Sequence, residues 1–144
     1  MNPMIRLLLA ATLLWSWFSP AAAQDLEASD MVRGGMQAIQ MIDQDRTGEL
    51  WDGATPATRK RMPRADFIDK VARSRAPLGS PQMRTWVAVN RQVVADSDTD
   101  TAGQYVSIEY ETRFAHKPDS TLRELVSFHL DRDRTWRFSG YVLR

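Results

Sequence analysis

The chain of 144 residues contains no cysteine, which excludes disulfides, thiolate nucleophiles and cysteine-ligated zinc together. Stability therefore has to come from the packed core. Histidine is almost as scarce: His116 and His129 are the only two, so a zinc site would need both, plus a third ligand such as Asp119 or Asp131. Neither sign of charge dominates, with 19 Lys and Arg against 18 Asp and Glu. They are interspersed along the chain, which gives no net pull on nucleic acid or on anionic lipid. A long hydrophobic run is missing too. The apolar stretch Leu7 to Phe18, broken by Thr12 and Ser16, is shorter than the roughly 20 residues a bilayer-spanning helix needs. There is no internal repeat and no low-complexity tract.

What the first residues do contain is the pattern of a secretory leader. One positive charge at Arg6 precedes the apolar stretch, and Ser19-Pro20-Ala21-Ala22-Ala23 supplies the small residues of a cleavage site between Ala23 and Gln24. A lipoprotein would need a cysteine at that point. The expectation is a leader over 1–23 and one domain over 24–144, free and soluble in the periplasm or secreted, with no membrane span after cleavage. Removing Arg6 takes one from the 19 basic residues and levels them with the 18 acidic ones. About 120 residues is an ordinary single-domain size, large enough for a core without covalent staples.

Apolar residues at Ala28, Met31, Val32, Gly35, Met36, Ile39 and Ile42 recur at the spacing of one helical face. Gly34 and Gly35 interrupt that helix at a cost of about 1 kcal/mol each relative to Ala, and tight packing of the helix on a sheet accounts for them. Thr55-Pro56 starts a short helix, Pro63 ends it, and Phe67, Ile68, Val71 and Ala72 mark another from Arg64 to Ser74. Pro77-Leu78-Gly79-Ser80-Pro81 then closes the helical half. Four β runs follow: Met83 to Val94, Tyr105 to Ala115, Thr121 to Asp131 and Trp136 to Leu143. In the second, Val106, Ile108, Tyr110, Thr112 and Phe114 alternate with polar residues, the pattern of a sheet with one wet face. Short turns join antiparallel neighbours, so the predicted fold is α+β, with N-terminal helices packed on a four-stranded antiparallel meander.

Several motifs carry a family resemblance: Ile42-Asp43 followed by Trp51; Arg75-Ala76-Pro77-Leu78-Gly79 with Arg84 after it; Gly103-Gln104-Tyr105-Val106; Arg123-Glu124; and Trp136 to Tyr141 with Gly140. Together they resemble a family of exported bacterial proteins known as a domain of unknown function, number four thousand and nineteen, over nearly the whole chain after the leader. The resemblance implies a curved antiparallel sheet wrapped on helices, similar to the cystatin and nuclear-transport-factor cones. It implies no function. The chain departs from the family pattern at Asp96 to Ala102, where a shorter Pro-Gly turn is usual, and at Arg134, where Gly is expected.

Candidate chemistry is sparse. Asp96, Asp98 and Asp100 have the spacing that opens a calcium loop, but Thr101 and Ser107 stand where such a loop needs Gly and Glu, so the reading is a solvated hairpin tip. Glu124 sits on the otherwise apolar face of its strand, with Tyr110 on the matching face of the next, and a carboxylate there is either paired or perturbed. Pairing with an arginine such as Arg84, or a strand register that turns Glu124 to solvent, is the structural account; a cavity acid–base pair of Glu124 and Tyr110, as in an isomerase or dehydratase, is the enzymatic one. In Arg75 to Gly79, Pro and Gly fix a helix-to-strand corner and Arg75 can cap helix carbonyls. Trp51, Trp86 and Trp136 with Phe114, Phe128 and Phe138 read as core. Trp136, Phe138, Gly140 and Val142 share one face of a regular strand. The reading that results is a binding module, without cofactor or metal, for a small apolar ligand or an envelope protein, its candidate residues being Trp51, Arg75, Pro77, Leu78, Gly79, Arg84, Tyr105, Trp136, Gly140 and Tyr141.

Overall fold

The computed structural model describes residues 27–144, and the leader expectation lies outside them. Among the described residues the chain forms α1 (Ala28–Asp43), α2 (Thr47–Asp52), α3 (Pro56–Arg61), α4 (Arg64–Arg75) and a 3₁₀ turn (Ala76–Leu78). These are followed by β1 (Pro81–Val94), β2 (Gly103–Phe114), β3 (Lys117–Leu130) and β4 (Trp136–Leu143). The sheet order is β1-β2-β3-β4, every pair antiparallel. This is the expected α+β meander. No described helix is long and apolar enough to cross a membrane.

The apolar stripe of α1 buries Met31, Gly35, Ala38, Ile39 and Ile42 against Val106, Ile108, Tyr110 and Val126 of the sheet. On β2 all five residues of the alternating set are buried, while Ser107, Glu109, Glu111 and Arg113 are only half-covered. Phe67 and Val71 of α4 and Phe138 of β4 extend the core, with Phe138 packed on Phe67 at 5.8 Å between ring centroids. The corner after α4 is built as its residues dictate. Gly79 has φ +73°, and a side chain there would press on the His116 ring at 3.0 Å, so glycine is needed twice over.

Three expectations are corrected. In β4 a register shift falls opposite Ser127 and Phe128, inserting Ser139 as a bulge. The bulge turns Tyr141 to the core side and Val142 outward, 49% exposed, so Phe138, Gly140 and Val142 do not share a face. Trp136 is only partly buried against the core, and Trp86 is 50% exposed on the edge strand β1. Arg134, where the family pattern has Gly, adopts φ +65°, a left-handed conformation that costs a non-glycine residue roughly 1–2 kcal/mol.

Gly34 and Gly35 differ in what they face. A Cβ on Gly35 would meet the Tyr110 hydroxyl at 2.5 Å and Ile108 Cβ at 3.3 Å, whereas on Gly34 the nearest atom is Phe128 Cζ at 3.9 Å. Gly34→Ala should therefore raise stability by up to about 1 kcal/mol through helix propensity. Gly35→Ala should lower it, because about 1–3 kcal/mol of overpacking outweighs the same gain. Urea midpoints that move in the same direction for both variants would contradict the close approach of α1 to β2.

Candidate functional site

At the end of the core where α1 and α4 reach the sheet, six side chains converge. Asp43 ends α1, Arg75 ends α4, and Arg84, Thr112, Glu124 and Tyr141 come one from each strand. Glu124 is fully buried. Its Oε1 accepts the Tyr141 hydroxyl at 2.7 Å and Arg75 Nη1 at 3.1 Å; its Oε2 accepts Arg84 Nε at 2.6 Å and the Thr112 hydroxyl. Asp43 closes the ring, taking Arg84 Nη1 on Oδ2 at 2.8 Å and both Arg75 Nη2 and Arg84 Nη2 on Oδ1. Two guanidinium and two carboxylate groups leave no net charge, and the Arg75 guanidinium lies 5.0 Å above the Phe114 ring centroid. A buried ion pair holds only when its remaining hydrogen-bonding capacity is met, and among the described residues no buried side-chain nitrogen or oxygen lacks a partner.

The electrostatics follow from that packing. Burial works against ionisation of Asp43, yet the hydrogen bonds from Arg84 and Arg75 outweigh it and hold the carboxyl below its usual 3.8. Burial, and then the Glu124 carboxylate, push the Tyr141 phenol well above its ordinary value, so it stays a donor. Tyr110 is pushed up to about 12, by burial above all.

These contacts separate the candidate residues. Arg84 pairs with Glu124, as the structural account expects. Tyr110 does not join them: it stands opposite Glu124 across the β2–β3 ladder, but its hydroxyl donates to the Val32 carbonyl. Arg75 turns to Asp43, Glu124 and Tyr141 instead of capping helix carbonyls. Pro77 offers its carbonyl to His116, at 3.3 Å from Nδ1, while Leu78 is buried. Tyr105 lies elsewhere, its ring 4.6 Å from that of His129 and its hydroxyl on the Thr101 carbonyl. His129 is buried with Nδ1 2.7 Å from Asp131 and Nε2 2.9 Å from the Ala102 carbonyl, so both ring nitrogens are engaged. The carboxylates of the 96–102 turn are engaged too: Asp96 and Asp98 accept backbone amides within the turn and Asp100 pairs with Lys60 at 2.9 Å. Among the described residues no group of ligating side chains is placed to hold a metal ion.

A groove lies beside the cluster, between α3, α4 and β4, with a volume of about 330 Å³. Buried Thr58, Phe67, Val71 and Ser139 form its floor, Met62, Tyr141 and Leu143 its walls, and exposed Arg61 and Lys70 its rim. Trp51 fixes the Met62 wall by donating its indole N–H to the Met62 carbonyl at 2.8 Å. Gly140 also lines the groove, and a Cβ there would have no atom within 4 Å. Gly140 pairs with Ser127, whose hydroxyl meets that of Ser107 on the wet face of the sheet, so a side chain there would point away from the groove into open space, without the close approach that a regular strand implies. Tyr141 belongs to both features, its ring in the groove and its hydroxyl in the ion cluster.

A family model described as "Protein of unknown function (DUF4019)" matches residues 34–141. The chain belongs to that family. The matched span holds all six cluster residues and every groove residue except Val142 and Leu143. A search of curated proteins returned no match. Sequence reasoning had not singled out Asp43 or Thr112 as site residues. The available signals were Ile42-Asp43 among the family motifs and a threonine in the buried set of β2.

Asp43 also sets a pH dependence. Because its folded pKa is depressed, its stabilising contribution is present above the unfolded value of about 3.8 and is lost as pH falls through the folded one. Asp43→Asn should therefore be less stable than the native chain at pH 7, with the gap narrowing at pH 3 and below. Urea midpoints showing the same gap at both pH values would contradict the charged state assigned to Asp43.

Proposed function

We propose that the protein is a non-catalytic module that works outside the cytoplasm and binds a small apolar ligand in the groove between α3, α4 and β4. The groove itself carries this reading: about 330 Å³ is within the size range of small-ligand sites, and its walls are mainly apolar with few polar groups. The leader pattern of Met1 to Ala23 supports the location. The acid–base alternative finds little support in the cluster, since both oxygens of Glu124 are already taken by donors of the cluster. No lone pair is left aimed at a cavity where a proton could be taken from substrate.

A protein partner is the second reading, favoured by β1, an edge strand that leaves Met83, Trp86, Val87 and Val93 exposed. The two readings place the ligand on different elements. Titration with 1-octanol, followed by amide chemical shifts, should give saturable changes confined to α3, α4 and β4. Ser74→Trp, which puts a large side chain into the groove from an exposed position of its lining on α4, should abolish them while leaving the melting temperature within a few degrees. Shifts that persist in that variant, or that fall on β1, would contradict the groove as the site.

A further inference from the structure

The rim of the groove carries charge of one sign. Of the residues that line it, Arg61 and Lys70 are charged and none is acidic, although acidic and basic residues are nearly equal in number along the chain. Most neighbouring cations are neutralised: Lys60 pairs with Asp100, Arg64 with Asp52 and Arg73 with Asp69. Neither Arg61 nor Lys70 is held in a hydrogen bond or ion pair among the described residues, although the Arg61 charge acts on the Tyr105 phenol. They come from different helices, α3 and α4, and both are exposed above a buried floor. Two of the groove's hydroxyls are already committed inward, Thr58 to the Ser139 carbonyl at 2.9 Å and Ser74 to the Val71 carbonyl at 2.8 Å. A ligand's polar end is therefore met at the rim, and its apolar part by Phe67, Val71, Met62 and Leu143.

Resting on the groove reading above, we propose that the ligand is a single-chain amphiphile with a carboxylate head, its chain on the apolar floor and its head between Arg61 and Lys70. Size sets the chain length. At about 30 Å³ for a water-sized group, a volume of about 330 Å³ takes roughly ten heavy atoms, which is an eight-carbon carboxylate. A guanidinium and an ammonium suit that head, the first through its planar fork and the second as a point charge. The head stays near water, so its desolvation is small and the preference for it is correspondingly modest.

The test compares octanoate, 1-octanol and octylammonium by amide chemical-shift titration of the native chain, Arg61→Gln and Lys70→Gln. Both substitutions are at exposed positions, so folding is unaffected. Octanoate should bind about fivefold more tightly than 1-octanol, as expected for two exposed charge contacts, and octylammonium most weakly. Each Gln variant should weaken octanoate by about twofold and leave 1-octanol unchanged. Equal affinity for octanoate and 1-octanol would overturn the head-group assignment while the groove reading stood. Failure of all three to shift groove residues would overturn the groove reading itself. Sedimentation of the protein with phosphatidylglycerol vesicles, lost in both Gln variants, would place the rim on a membrane surface and overturn the free amphiphile.

Discussion

One buried carboxylate, Glu124, and three largely covered charges gathered round it where two helices meet a sheet are the constraint around which this domain is arranged. Each guanidinium is held by both carboxylates, so no partner can be withdrawn without leaving charge short of a partner where water has little access. The participants also come from α1, α4 and every strand. Side chains alternate along a strand, so a one-residue slip would send Arg84, Thr112, Glu124 or Tyr141 to the opposite face. Apolar alternation alone tolerates some such slips; a saturated ion cluster does not. The cluster thus fixes strand register and helix position together.

Tyr141 connects that framework to the groove. Its place depends on the bulge at Ser139, which brings the Tyr141 ring to the helix side of β4 and lets its hydroxyl reach Glu124. The same irregularity turns Gly140 to the wet face of the sheet, beside Ser127. One inserted residue therefore completes the ion cluster and puts Tyr141 in the groove beside it. Trp51, anchored on the Met62 carbonyl in the short connection between α3 and α4, holds the far wall, so both sides of the groove are set by hydrogen bonds.

Most of the architecture was legible because it is periodic. The 3.6-residue stripe of α1, the strict alternation of β2 and the Pro-Gly corner at Pro77 to Gly79 each specify a local structure, and each appears as written. Glu124 stood out because it broke a period, and its pairing with Arg84 followed from the cost of burying a lone charge. What could not be read was anything decided by an interruption of period. The bulge at Ser139 reverses the faces of Gly140, Tyr141 and Val142, and no local propensity of Phe138-Ser139-Gly140 announces it. Asp43 and Arg75 sit at helix ends, where their partners are set by how the helices dock. The groove is a property of the spacing between α3, α4 and β4, which emerges only once the register of β4 is fixed.

The central claim, that this cluster is a single interdependent unit, is tested most directly by a double-mutant cycle on Arg84 and Glu124 read by urea unfolding. Arg84→Met and Glu124→Gln should each cost about 3–5 kcal/mol, since either leaves an uncompensated buried charge. The double variant keeps the charges of Asp43 and Arg75 matched. It should therefore lose less than the sum of the two by a coupling of about 1–3 kcal/mol. Additive losses would show that Arg84 and Glu124 act independently and would contradict the account.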